Sequence, residues 1–202
     1  MERTLPGALL ICPPEKEEDA FSLLHPIFAV SGGGLLLSQV AELTGLAPST
    51  IQNWVKRGWV SKPVGKRYGE IQVARILIIN LLRPSMQLDR IAALLAYVNG
   101  SVDSREDDSL SDPRLYSLLC SLIFQMEDGG RPEGKELADR IAVYLRETPQ
   151  TVADAGERLQ EALTLMLLNI EASLLMQRAG EIFRRIMDRD VCVAQQKEAD
   201  VL

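Results

Sequence analysis

Apolar residues recur every three or four positions along most of the chain, which is the spacing of one face of an α-helix. The clearest case is residues 37–59, where two short amphipathic segments lie on either side of a glycine. Val40 and Leu43 mark the apolar side of the first segment, and Ile51 and Trp54 mark that of the second. This pattern predicts two short helices joined by a tight turn.

The residues between the two segments suit a sharp change of direction. Ser38 is the predicted cap of the first helix, because its hydroxyl can accept a hydrogen bond from a free amide of the first turn. Gly45 can adopt the left-handed conformation that ends a helix, and Leu46 is expected to fill the angle. Pro48 suits the first position of the second helix, where the backbone N–H has no partner to lose. Gly58 is expected to end that helix.

One face of the second helix, residues 48–57, is polar throughout. Ser49, Gln52, Asn53 and Lys56 are spaced i, i+3, i+4, i+7, which places them together. Gln and Asn can pair with adenine edges in a major groove, and Lys can reach guanine acceptors or phosphate. The face is typical of the recognition helix of a helix-turn-helix, although it also suits the ordinary solvated side of a helical hairpin.

A basic, turn-rich stretch follows at residues 61–68. It contains Lys62, Lys66 and Arg67 together with Tyr68. A basic hairpin directly after a recognition helix is typical of a wing, whose cations lie along the phosphate backbone. The Tyr68 hydroxyl is expected to donate a hydrogen bond there as well.

The order of helix, turn, helix, basic hairpin and two further helices resembles the winged helix-turn-helix of MerR-type transcription regulators. The strings IQNWVKRGWVSKPVGKRY and RILIINLLR are, in addition, similar to those of a bacterial domain family of unknown function that carries such a head. Together the resemblances cover roughly residues 35–126. They imply DNA contacts from ten residues: Ser49, Thr50, Gln52, Asn53, Lys56, Arg57, Lys62, Lys66, Arg67 and Tyr68.

The chain divides by pattern into three parts: an N-terminal segment with a glycine-rich hinge (1–34), the winged head (35–100) and an acidic helical domain (101–202). In the first part, residues 15–24 are predicted to form one helix that ends at His25-Pro26. The fold class is therefore mainly α, a winged helix-turn-helix head followed by an α-helical bundle.

The third part contains a polar linker at residues 100–112 and three predicted helices at 112–126, 135–147 and about 151–190. In the last of these, residues 163–176 are apolar on most sides and are predicted to be the buried spine of the bundle.

Residues 71–82 are apolar on nearly every side. A helix of this kind must be covered on nearly every side, and the head can cover only part of it. The C-terminal helices or a second subunit are expected to supply the rest. Because two-fold operators also suit winged heads, the sequence predicts a homodimer.

Charge is distributed unevenly along the chain, whose net charge is −6. Residues 1–34 carry −3, residues 35–100 carry +5 and residues 101–202 carry −8. A basic head on an acidic body is the distribution expected when one module meets phosphate. The predicted partner is double-stranded DNA.

Other classes of function find little support in the sequence. It contains one His and three widely spaced Cys, no phosphate-binding loop and no catalytic constellation, so neither an enzyme nor a metal or cofactor site is predicted. Its apolar runs fall short of the roughly 20 residues of a membrane span, and the cysteine usage suits a reduced cytoplasmic chain. An unidentified effector and a contact with RNA polymerase are left open. The alternative function is a protein-interaction adaptor that keeps a winged-helix shape without binding DNA.

Overall fold

A computed structural model of the chain describes residues 3–99, 110–130, 134–145 and 155–199. The described part is mainly helical, which confirms the prediction of a mainly-α fold. Its α-helices are α1 His25–Val30, α2 Leu37–Thr44, α3 Pro48–Lys56, α4 Glu70–Leu82, α5 Leu88–Asn99, α6 Asp112–Glu127, α7 Gly134–Leu145 and α8 Ala155–Ala199.

Two small antiparallel sheets join segments that are distant in the sequence. Strand β1 (Arg3–Thr4) pairs with β2 (Ile11–Cys12) near the N-terminus. Strand β3 (Leu35–Leu36) pairs with β4 (Arg67–Tyr68), with Leu35 opposite Tyr68. The second sheet therefore connects the start of α2 to the hairpin that precedes α4.

Helix α4 is the centre of the fold. Eight of its thirteen residues are buried, and they lie on nearly all sides of the helix. Helix α6 packs along it, and α2, α5 and α8 cover further sides. The prediction that this helix needs cover from outside the head is confirmed. Because the cover comes from the same chain, α4 no longer gives a reason for a second subunit.

The N-terminal residues are part of the core and do not form a separate segment. Leu5, Phe21 and Phe28 are buried with the residues of α4 and α6. The Tyr116 hydroxyl donates a hydrogen bond to the carbonyl of Pro6, and the Phe21 N–H donates one to Ser117 Oγ at 3.1 Å. Residues 3–34 thus bridge the predicted head and the predicted body.

One local prediction for this region is wrong. Residues 15–24 form two short 3-10 turns, Pro14–Lys16 and Ala20–Leu24. His25-Pro26 begins α1 instead of ending a helix, because a proline in the first turn loses no intrahelical hydrogen bond. The glycine-rich segment at residues 31–34, which the sequence predicts as a hinge, forms a clamped turn in which Arg67 Nη1 donates to the carbonyls of Ser31 and Gly34 at 2.8 and 2.9 Å.

Helix α6 begins at Asp112, as the sequence predicted, and an ion pair holds this end to α4. Arg75 Nε lies 2.8 Å from Asp112 Oδ2, and both side chains are buried. Leu110, at the end of the predicted polar linker, is also buried. The rest of that linker, the end of the helix predicted to reach residue 147 and the start of the one predicted at residue 151 lie outside the described residues.

The prediction of a buried spine at residues 163–176 is correct only for one face and only in its first half. Leu163, Met166 and Ile170 are buried, whereas Leu168 and Leu175 are exposed. The reason is length: α8 has 45 residues, about 67 Å of helix, and no described element packs against its other side. By length and composition alone, its segment Gly156–Asp188 also meets the requirement for a membrane span.

Two of the three cysteines lie in the interior. Cys12 and Cys120 are buried free thiols, and burial raises the pKa of both. A thiol held in its protonated form reacts slowly, because the thiolate is the nucleophile. Both residues therefore act as small apolar side chains of the core. The side chain of Cys192 lies outside the described residues.

Candidate nucleic-acid interface

The turn between α2 and α3 has the predicted geometry. Gly45 has φ of 69°, in the left-handed region, and Leu46 is buried in the angle. The Thr44 hydroxyl donates to the Val40 carbonyl at 2.7 Å and accepts from the Leu46 N–H at 3.3 Å. The Thr44 side chain thereby ties the N–H of the turn residue Leu46 to the last turn of α2, which helps to fix the direction in which α3 leaves the turn.

The start of α2 differs from the prediction. Helix α2 begins at Leu37, and the Leu36 N–H donates to the side chain of Gln39 at 2.8 Å. Ser38 lies inside the first turn and is not the cap. A glutamine three residues after the cap position is half of the usual capping box, and Gln39 was the sequence signal for this start.

Helix α3 presents two distinct faces. Ile51 and Trp54 are buried, and the Trp54 carbonyl accepts hydrogen bonds from the N–H groups of Trp59 and Val60 at 3.0 and 3.4 Å. The opposite face is exposed and consists of Ser49, Gln52, Asn53 and Lys56, with Thr50 half-buried beside it. The predicted division of this helix into a core face and a polar face is confirmed.

A shallow groove lies between α3 and the start of α5. Its volume is about 540 Å³, and its lining includes Asn53, Arg57, Trp59 and Asp89. The Arg57 guanidinium lies over the Trp59 ring, 5.1 Å from its centroid. A guanidinium stacked in this way keeps its charge and its donors in a defined direction. Arg57 therefore extends the polar face of α3 past the end of the helix.

The hairpin after α3 closes through a tight turn at Val64 to Arg67. The N–H and C=O groups of these two residues bond each other at 2.9 and 3.0 Å. Gly65 and Lys66 both have positive φ, 54° and 63°, as in the type I′ turns that fit the twist of a hairpin. Lys62 and Lys66 are exposed. Two cations of the predicted wing are thus available to a partner.

Arg67 is exposed, but part of its guanidinium is already engaged. Its Nη1 donates to the backbone carbonyls of Ser31 and Gly34. A Cβ on Gly34 would approach the Arg67 side chain to 2.9 Å, so the two residues are closely packed. Arg67 therefore ties the hairpin to the N-terminal segment, a role that the sequence did not indicate.

Tyr68 is a correction to the predicted site. Its side chain is only 3% exposed and is part of the core, and burial raises its pKa. It faces inward because residues alternate between the two sides of a strand, and its neighbour Arg67 points outward. Tyr68 holds the hairpin on the core and does not present its hydroxyl alongside the lysines.

Gln72 is a positioning residue that sequence reasoning missed. Its Oε1 accepts from the Gly69 N–H at 2.7 Å, and its Nε2 donates to the carbonyls of Ser61 and Lys62 at 3.2 and 2.6 Å. It thereby holds both ends of residues 61–69. The signal was a glutamine three residues after the cap Gly69, the spacing of a capping box.

Gln72→Ala is expected to lower the free energy of unfolding by about 1–3 kcal/mol, because it removes three hydrogen bonds of a partly buried amide. Amide exchange at residues 61–69 should also become faster. Urea denaturation and hydrogen-exchange mass spectrometry measure the two effects. Gln52→Ala is the matched control, since Gln52 is exposed and its loss should change neither. If Gln72→Ala and Gln52→Ala had the same free energy of unfolding and the same amide exchange at residues 61–69, the role given to Gln72 would be wrong.

The net charge of the head is more positive than that of the body. Residues 35–100 carry eight cations and three anions, and one of these cations, Arg75, is buried against Asp112. The exposed cations of the candidate interface are Lys56, Arg57, Lys62 and Lys66, with Arg67 partly engaged. Within the described ranges, no three His, Cys, Asp or Glu side chains come together as a metal site.

Comparison with known proteins supports the second of the two sequence resemblances. Residues 34–118 match the profile of a family described as Domain of unknown function (DUF1836). The chain is also 30% identical over 104 residues to the uncharacterized protein YkrK of Bacillus subtilis (strain 168), a stretch that makes up 50% of this chain and 45% of that protein. No solved structure gives a significant match. The likeness to MerR-type heads stays a sequence-based resemblance.

Proposed function

We propose that the protein is a sequence-specific DNA-binding transcription regulator of the cytoplasm. The recognition helix, residues 48–57, would lie in a major groove, and the hairpin, residues 61–68, would lie on the flanking phosphates. One observation carries the proposal: the polar face of α3 and the hairpin lysines are both exposed, while Ile51, Trp54 and Tyr68 fix both elements on one core. This pairing of a donor-rich helix with a basic hairpin suits a duplex.

The side chains divide into two roles under this proposal. Gln52 and Asn53 can each pair with the N6 and N7 edge of an adenine, so they would read sequence. Lys62 and Lys66 would meet phosphate, which carries no sequence information. Lys56 and Arg57, at the end of α3, can serve either role. Loss of a base contact should therefore lower the affinity for the preferred DNA site, whereas loss of a phosphate contact should lower the affinity for every duplex.

An adaptor function is the second candidate, and two exposed apolar side chains favour it. Val64, next to the turn of the hairpin, is 83% exposed, and Leu9, which packs beside Gly45, is 72% exposed. Neither of these apolar side chains can bind a phosphate group. A protein partner could bury both, in which case the winged shape would serve as a docking surface without DNA.

Gln52→Ala and Asn53→Ala are each expected to cost about 1–3 kcal/mol on the preferred DNA site while leaving binding to random duplex nearly unchanged. Lys66→Ala should weaken binding to both DNAs alike and reduce the salt slope by about one. Lys66 is a better probe of phosphate contacts than Arg67, because Arg67→Ala would also release the clamped turn. Fluorescence anisotropy with labelled duplexes measures both affinities.

Lys135→Ala is the control, because Lys135 is an exposed cation on α7 in the acidic body. It should bind both DNAs like the unmodified protein. If Gln52→Ala and Lys66→Ala lost the same factor on every duplex, the assignment of α3 to base reading would be wrong. Normal DNA binding by all three interface variants would place the DNA contacts on other residues, whereas absence of duplex binding by the unmodified protein would favour the adaptor function.

A further inference from the structure

Helix α8 carries two apolar faces on opposite sides. On the inner face, Leu159, Leu163, Met166 and Ile170 are buried against α4, α5, α6 and α7. Successive residues of a helix are about 100° apart. Leu168 and the residues seven and fourteen positions after it therefore point away from this packing. The outer face is therefore separate from the core of the chain.

The outer face has the spacing of a coiled-coil seam. Leu168, Leu175 and Ile182 recur every seven residues, and each is about half exposed. A second set lies three residues before each of these and one turn beyond the last: Leu165, Ala172, Ala179 and Ile186. Alternating steps of three and four residues keep a seam facing a partner helix over several turns. We refer to these seven residues as the outer stripe.

The inner face changes character where the body ends. After Ile170 it continues with Leu174, which is 39% exposed, and then with Gln177, Glu181, Arg184 and Asp188, all exposed. Beyond residue 174, α8 is thus polar on its inner face and apolar on its outer face. A core helix with a frayed end would not show this arrangement. It indicates that another surface covers the apolar side of the projecting C-terminal half of α8.

We propose that the outer stripe pairs with the outer stripe of a second copy of the chain, in the antiparallel sense. In that pairing Leu168 meets the partner's Ile186, Ala172 meets the partner's Ile182 and Leu175 meets the partner's Ala179. Each small residue then faces a large one, which fills space evenly. In a parallel pairing, Ala172 would face the partner's Ala172 and Ala179 would face the partner's Ala179. Layers of small side chains would then alternate with layers of large ones.

The exposed area is sufficient for a dimer. Met176 and Phe183 flank the outer stripe and are 74% and 62% exposed. With the stripe they offer on the order of 700 Å² of side-chain surface per chain, close to the roughly 800 Å² per partner of a specific interface. A bilayer span that covered the whole outer stripe, residues 165–186, would also take up Arg178, Arg184 and Arg185 from that segment.

Sedimentation of the full-length protein without DNA tests the pairing. We expect a dimer at micromolar concentration, a monomer for Leu175→Glu and for Ile182→Glu, and a dimer for the control Gln177→Glu. The control adds the same charge on the opposite side of the helix. Circular dichroism should show the same helix content in all four proteins, because the altered side chains are exposed. A monomeric unmodified protein, or an undisturbed dimer of both stripe variants, would overturn the proposal, and so would binding to lipid vesicles that these variants abolish.

Cross-linking tests the antiparallel sense. In a Cys192→Ser background, Leu168→Cys and Ile186→Cys chains are prepared separately and then mixed and oxidised. We expect a disulfide-linked dimer from the mixture and none from either chain alone. Cross-linking of each chain with itself would show a parallel pairing and overturn the proposed one. Because both experiments omit DNA, their outcome is independent of the proposed function.

Discussion

Trp54→Ala is expected to lower the free energy of unfolding by ~3–5 kcal/mol, the cost of removing a large side chain from a packed core. Trp54 is 2% exposed and is among the largest fully buried side chains of the described residues. It packs on the inner side of α3, whereas the outer side carries the predicted DNA contacts. The substitution should therefore remove DNA binding by loosening the helix, without altering a single contacting group.

Urea denaturation followed by circular dichroism measures this effect through the shift of the midpoint. Gln52→Ala is the matched control on the same helix, two residues away and fully on the polar side. It should leave the midpoint within about 0.5 kcal/mol of the unmodified protein. A stable, normally folded Trp54→Ala variant would contradict the division of α3 into two faces.

Asp112→Ala is expected to be equally severe, at about 3–5 kcal/mol, because it leaves the guanidinium of Arg75 buried without its counter-charge. The pair is bidentate, with a second contact from Nη2 to Oδ1 at 3.3 Å, and both side chains are less than a tenth exposed. It connects the central helix α4 to the first turn of α6. Loss of the pair should separate the candidate interface from the helices that support it.

A double-mutant cycle isolates the pair from other contacts of these residues. Arg75→Met combined with Asp112→Ala should recover most of the stability that Asp112→Ala loses, since two apolar residues leave no buried charge behind. Asp139→Ala, an exposed carboxylate on α7, should have little effect. If the double variant lost the full sum of the two single losses, the two side chains would be acting independently and the account of this ion pair would be wrong.

The parts of the fold that the sequence predicted correctly are those fixed by local chemistry. Gly45, Pro48 and Gly58 define the turn and both ends of α3 through backbone conformation alone. The division of α3 into two faces follows from a single helical period. The extent of α4 and the start of α6 at Asp112 were likewise visible in short windows of sequence.

The parts that it did not predict depend on contacts between distant segments. Residues 3–34 were predicted to be a separate segment, because the local sequence does not show that their packing partners lie on α4 and α6. Tyr68 and Arg67 were assigned to one surface, yet β4 pairs with β3 and sends the two side chains in opposite directions. Residues 163–176 of α8 were predicted to be buried on most sides, because apolar composition alone does not show that only one of two apolar faces is covered.

The most direct test of the proposed function is the salt dependence of duplex binding by the unmodified protein. Fluorescence anisotropy would be recorded with the promoter region of its own gene and with random duplex of the same length. If Lys56, Arg57, Lys62 and Lys66 each neutralise one phosphate, the logarithm of the association constant should fall with the logarithm of salt concentration with a slope of about −4 per head. The promoter fragment should bind more tightly than random DNA. Absence of duplex binding at ~50 mM salt, where phosphate contacts are strong, would contradict the account and leave the adaptor function.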